Sequence, residues 1–180
     1  MKSAHVFSLL LTTLTLGSGL LSNAPLRADD ADNMRVNAPI SCSIQTYNGR
    51  YVTAVGGGGR TTDVLHTDAV KPSTWERFIL IDTGVGSPIQ YGFKTYRGTY
   101  LTAVGGGGRI TDVIHSDATT IAAWEKFTLN ALGNGYFAIQ TSNGHYLTAT
   151  GAGGQVVDAI HSDATKIGTW EMFRFNCKNI

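Results

Sequence analysis

YGFKTYRGTYLTAVGGGGRITDVIHSDATTIAAWEKFTLN, residues 91–130, is written three times in this chain. Upstream, residues 43–81 read SIQTYNGRYVTAVGGGGRTTDVLHTDAVKPSTWERFILI, and downstream, residues 136–176 read YFAIQTSNGHYLTATGAGGQVVDAIHSDATKIGTWEMFRFN. Trp75, Trp124 and Trp170 mark the period, 49 and then 46 residues apart. Spacings in this range signal a repeat architecture.

Within the central copy, residues around Phe93 and Thr95 alternate up to Arg97-Gly98, a hairpin turn, and Tyr100 to Val104 alternate again. The run Gly105 to Gly108 supplies a flexible reversal. Asp112 to Ser116 then reads as a third strand, and Trp124 to Leu129 as a fourth, with Phe127 and Leu129 on one face by period two. Four strands in each of three copies give an all-β fold of twelve strands with no helix, whose terminal strands lie side by side and close a barrel.

Composition sets the bounds. The chain has 180 residues, 42% of them hydrophobic and 15% charged, enough for one domain with a true core. Twenty-two Gly suit many short strands and tight turns. Residues 1–28, with Lys2, an apolar run from Val6 to Leu21 and a small-residue end at Ala28, read as a secretory signal peptide. An uncleaved anchor is the competing reading, but the run is short and broken by Ser, Thr and Gly. Residues 29–40 form an extension, and 41–180 the domain, with repeats at about 41–82, 90–130 and 136–177.

Cleavage removes Lys2 and Arg27 and leaves 12 basic and 13 acidic residues. That balance argues against a nucleic-acid partner, which needs a concentration of Lys and Arg. No charge run points to a membrane surface, so no stable membrane insertion is expected after cleavage. Cys42 and Cys177 flank the repeats. In an oxidising compartment they form a disulfide joining the ends, with two unpaired thiols as the alternative. Closing so long a loop stabilises by about 4–5 kcal/mol in the chain-entropy picture.

Tyr-[Leu/Val]-Thr-Ala at Tyr51, Tyr100 and Tyr146, a glycine-rich turn, and then Trp-Glu-x-Phe at Trp75, Trp124 and Trp170 recur in order. Over residues 41–177 the chain resembles the fascin-like, actin-crosslinking type of β-trefoil. The resemblance implies a pseudo-threefold β-trefoil and, as one function, binding of actin or another protein. Single fascin-like modules in exported proteins suggest instead attachment to extracellular polymers such as glycans.

The candidate chemistry recurs with the copies. Asp63, Asp112 and Asp158, beside Arg60, Arg109 and Gln155, offer acceptors and donors for sugar hydroxyls, and Tyr51, Tyr100 and Tyr146 offer rings for the apolar face of a pyranose. The bland account is that the Asp carboxylates satisfy turn backbone while the Tyr rings pack. His66, His115 and His161 share a strand face with Asp68, Asp117 and Asp163. Three imidazoles meeting at a metal is one conceivable arrangement, but a structural or ligand-contacting His in each copy is the expectation, with no metal and no cofactor. The glycine runs lack Gly-Lys-[Ser/Thr] and lead into strands, which excludes a phosphate loop.

Trp75, Trp124 and Trp170, with Phe78, Phe127 and Phe173, are expected in the core because large aromatics bury the most area. Glu76, Glu125 and Glu171 are expected to bond to backbone, without a catalytic role. Every polar candidate appears once per copy, whereas catalysis needs one asymmetric pocket. The expectation is a secreted, periplasmic or extracellular non-enzymatic module, lectin-like, with up to three repeat-related carbohydrate sites.

Overall fold

The computed structural model describes residues 39–84 and 88–180. The signal-peptide reading and most of the extension lie outside the described residues. Twelve strands follow in chain order. In the first copy they are β1 (Ile40–Thr46), β2 (Tyr51–Ala54), β3 (Leu65–Ala69) and β4 (Arg77–Asp82). The second copy gives β5 (Gln90–Lys94), β6 (Tyr100–Ala103), β7 (Ile114–Ala118) and β8 (Phe127–Gly133). The third gives β9 (Tyr136–Gln140), β10 (Tyr146–Ala149), β11 (Ile160–Ala164) and β12 (Phe173–Asn179).

The ladders run β1 to β4, β4 to β5, β5 to β8, β8 to β9, β9 to β12 and β12 back to β1, all antiparallel. Six strands therefore close a barrel, and full closure leaves that sheet with no open edge. The other six strands form three hairpins, β2 with β3, β6 with β7 and β10 with β11. This is the β-trefoil arrangement. The barrel proper thus has six strands, in place of the twelve the repeat count suggested, because the middle two strands of every copy pair with each other and cap one end.

Cys42 stands opposite Cys177 in the β1–β12 register, and the two are joined as a disulfide. The bond links the first and last strands where the circle closes.

The barrel interior is filled by period-two phenylalanines. Phe78, Phe93, Phe127, Phe137, Phe173 and Phe175 are all fully buried. Phe93 meets Phe127 edge-on at 5.2 Å between centroids and lies over Phe175 at 6.2 Å, while Phe137 meets Phe175 at 5.7 Å. Offset and edge contacts of this kind are the favoured geometries for aromatic rings.

The tryptophans are not in that core. Trp75, Trp124 and Trp170 are 46%, 49% and 47% exposed. The fourth strand of each copy begins only at Arg77, Phe127 or Phe173, so the Trp precedes the pleat and lies in a turn outside the inward alternation. Its backbone is nonetheless fixed: the carbonyl of Trp75 accepts from Ala54 N–H at 2.9 Å, and that of Trp124 from Ala103 N–H at 2.8 Å.

The residue that turns inward is the neighbouring glutamate. Glu76, Glu125 and Glu171 are buried. Each Oε1 accepts from the hydroxyl of Thr53, Thr102 or Thr148 at 2.8, 2.7 and 2.7 Å. Each Oε2 accepts from the backbone N–H of Ser73, Ala122 or Gly168 at 2.7, 2.9 and 2.7 Å. A buried carboxyl with both oxygens engaged ties the turn before the fourth strand to the hairpin of the same copy.

Candidate functional site

The glycine loops do more than reverse the chain. Gly58, Gly107 and Gly153 have φ of 103°, 102° and 109°, and a Cβ on any of them would lie 2.3 Å from the hydroxyl of Thr95, Thr141 or Thr46. Only glycine fits such an approach in such a backbone. Each threonine belongs to the next copy, in circular order. Arg97 N–H donates to Gly57 O at 2.9 Å, Asn143 N–H to Gly106 O at 3.1 Å, and Asn48 N–H to Ala152 O at 3.3 Å. On the other flank, Gly59 and Ser116 N–H donate to Ser116 and Arg60 carbonyls, both at 2.8 Å. Gly108 with Ser162, and Gly154 with Thr67, repeat the pattern. The expected flexible reversal is therefore a clasp between copies, held by backbone hydrogen bonds on both sides.

The recurring aspartates follow these loops. Asp63, Asp112 and Asp158 have φ of 49°, 49° and 48°, a left-handed conformation that Asp tolerates better than most residues. His66 Nε2 lies 2.7 Å from Asp63 Oδ1, and His115 Nε2 lies 2.6 Å from Asp112 Oδ1. Arg60 reaches Asp63 Oδ2 at 3.3 Å and Arg109 reaches Asp112 Oδ2 at 3.4 Å. Asp, His and Arg of one copy are thus brought together in two of the three copies. In the third, Gln155 replaces the arginine, and Asp158 has no side-chain partner among the described residues. His66 and His115 turn to their own copies, and no three His, Cys, Asp or Glu side chains among the described residues are grouped to hold a metal ion.

The aspartates of all three copies border one depression of about 530 Å³, where the three hairpins meet. Val64, Val113 and Ala159 are buried beneath it, and Ile110, Val156 and Val157 stand exposed around it. Tyr51, Tyr100 and Tyr146 do not join the aspartates. Tyr51 pairs with Ala69 and Tyr100 with Ala118, at the far end of each hairpin, six residues and up to roughly 20 Å of extended chain from Asp63 or Asp112. The half-buried Tyr100 ring instead lies under Lys94 Nζ, 5.8 Å from its centroid.

The rings that face water are at the junctions between copies. A Cβ on Gly57 would stand 3.2 Å from Trp75 Nε1 and 3.2 Å from Tyr96 Cδ1, so the two rings converge over that glycine. At the second junction Gly106 faces Trp124 and, 3.0 Å away, the hydroxyl of Ser142. At the third, Tyr47 takes the place of Tyr96 and lies 5.6 Å from Tyr136, whose other neighbour is Arg174 at 4.2 Å. None of the three indole N–H groups has a protein partner among the described residues. Sequence reading marks Tyr47 and Tyr96 as a difference between the copies, where the third has Ser142, but does not count them among the site residues. The available signal was an aromatic beside the turn glycine, at Tyr47-Asn48-Gly49 and Tyr96-Arg97-Gly98, where the ring has no strand face to pack on.

No protein-family model matches the chain, and no curated protein matches its sequence. Solved structures do match its fold. A designed threefold-symmetric protein, ThreeFoil, is 13% identical with a TM-score of 0.63, over 76% of this chain and 97% of that one. The Rhizoctonia solani agglutinin is 15% identical with a TM-score of 0.58, over 78% and 94%. SeviL, solved bound to asialo-GM1 saccharide, is 13% identical with a TM-score of 0.54, over 75% and 94%. At these identities the likeness establishes the class, an all-β protein of β-trefoil fold.

Proposed function

We propose that this protein is an exported, non-enzymatic binding module of lectin type that holds extracellular carbohydrate at its repeat junctions. One observation carries the reading: three indole rings, at one position in three copies, stand half in water with their N–H groups unengaged. A half-exposed ring with a free donor suits a pyranose, whose C–H face stacks on the ring while a hydroxyl accepts from the N–H. The Asp63, His66 and Arg60 set lies on the same glycine loop, with Arg60 against Gly56 and the indole against Gly57. It gives hydroxyl groups a polar flank.

Other features agree. The recurring carboxyls of Glu76, Glu125 and Glu171 are consumed by threonine and backbone, which leaves them to hold the fold and not to act on a substrate. The disulfide suits an oxidising compartment and supports reading residues 1–28 as a signal peptide. The repeated Tyr-[Leu/Val]-Thr-Ala and Trp-Glu-x-Phe segments support a fascin-like type of trefoil. That an agglutinin and a saccharide-bound protein share the fold adds weight to carbohydrate.

The test is a glycan array probed with the full chain, beside co-sedimentation with filamentous actin. Array signals lost on Trp75→Ala, Trp124→Ala and Trp170→Ala in combination are expected. A blank array with clear actin pelleting would overturn the reading in favour of a protein-interaction module.

A further inference from the structure

We propose that the junction between the first and second copies is the principal site, and that it takes a pyranose carrying an anionic group. This rests on the carbohydrate reading above and names which junction binds and what it selects.

The three junctions share a tryptophan, and no two carry the same set of side chains around it. At the first, Trp75 is joined by Tyr96, Arg77 and Arg97. The corresponding residues at the second are Ser142, Lys126 and Asn143, and at the third Tyr47, Met172 and Asn48. Only the first combines a second ring with two guanidinium groups.

The first junction is also open. A cleft of about 410 Å³ is lined by Ser41, Thr74, Arg77, Ile79, Tyr96 and Ile180, and Trp75 meets Tyr96 at its border, over Gly57. At the third junction the place of Ser41 is taken by Tyr136 and that of Ile79 by Arg174. Arg174 lies over the Tyr136 ring, which in turn meets Tyr47, so protein side chains occupy the equivalent space. The second junction offers the hydroxyl of Ser142 where the first has a ring.

Charge then selects among sugars. Arg77 is half-buried, and the ion pairs among the described residues belong to Asp63 and Asp112, on the hairpin face. No carboxylate therefore answers the Arg77 guanidinium. Arg97 is anchored by Nε–H to Gly56 O at 2.8 Å, which fixes it beside Tyr96 and leaves its terminal N–H groups outward. Guanidinium groups without an internal acid suit a carboxylate or sulfate, through charge-assisted and bidentate hydrogen bonds. Tyr96 seats the sugar with Trp75 beside it over Gly57, Ser41 and Thr74 meet its hydroxyls, and Arg77 meets its charge, with Arg97 on the adjoining glycine loop.

The experiment is affinity electrophoresis of the full chain through gels cast with polygalacturonate or with neutral galactan. Stronger retardation by polygalacturonate is expected. Tyr96→Ser and Arg77→Gln should each weaken it about tenfold, and Tyr47→Ser and Lys126→Gln less than about twofold. Lys126→Gln removes the same charge as Arg77→Gln and so controls for bulk electrostatics. Thermal midpoints for these variants, none of which removes a buried core side chain, should match the parent.

Equal losses from Tyr96→Ser and Tyr47→Ser would overturn the principal site, and equal retardation by galactan with Arg77→Gln silent would overturn the anionic preference. Retardation in neither gel overturns both. The carbohydrate reading falls only if the glycan array is also blank, so the two failures are separable.

Discussion

Two aromatic residues three positions apart in the same motif have opposite fates. In Trp-Glu-x-Phe, the phenylalanine is sealed in the barrel in all three copies, while the tryptophan stands half in water. Both recur with equal fidelity and both are large and apolar, so neither recurrence nor hydrophobicity separates them. Strand onset does: the phenylalanine is inside the pleat and its alternation points it inward, whereas the tryptophan belongs to the turn before. Glu125 between them is drawn inward by Thr102 and the Ala122 N–H, which fixes the turn with the indole outside. Repetition therefore preserves a core residue and a surface residue side by side, for different reasons.

The comparison can be broken hardest at the buried end. Phe127→Ala opens a cavity among Phe93 and its neighbours and should cost about 3–5 kcal/mol. A urea-unfolding midpoint close to the parent's would remove Phe127 from the core. Gly107→Ala comes next, since its Cβ would press on the hydroxyl of Thr141 at 2.3 Å in a backbone of φ 102°. Strain and overpacking together predict a loss of about 2–4 kcal/mol. If instead Gly107→Ala unfolds with the parent, the glycine loop is not a clasp.

Glu125→Gln sharpens the middle of the motif. The amide keeps one acceptor for Thr102 but turns an NH₂ group toward the Ala122 N–H, placing two donors face to face. A loss of about 1–3 kcal/mol is expected, with the fold retained by circular dichroism. Unchanged stability would mean that the carboxyl does not hold the turn.

How far the sequence could be read follows the same division. Triplication, alternation and turn glycines are local, and they announced a threefold all-β fold, the inward phenylalanines and two cysteines placed to close it. The capping hairpins and the six-strand barrel were harder, because which strands pair depends on contacts between copies. The exposed tryptophans were misread because their neighbour's partner, Thr53, Thr102 or Thr148, lies 23 residues upstream. The junctions were invisible for a related reason. Trp75 and Tyr96 belong to different copies and meet only through the close passage of Gly57. The Asp and Arg neighbours at the glycine turns were legible because they are three residues apart, but the alternation put the histidines with Asp68, Asp117 and Asp163, whereas His66 and His115 turn back to Asp63 and Asp112.

The smallest stability effect belongs to the exposed end. Trp124→Ala removes a ring that already leaves about half its surface in water, so the loss should be about 1 kcal/mol, well below that of Phe127→Ala. Its indole lies against Gly106, and its backbone carbonyl, which anchors Ala103, survives the substitution. The clasp and the Glu125 bonds should therefore persist, and amide exchange of Ala103 should stay slow. A loss as large as that of Phe127→Ala would place the ring in the core after all and dissolve the contrast. A small loss with fast exchange at Ala103 would show that the ring, more than the glutamate, holds the turn.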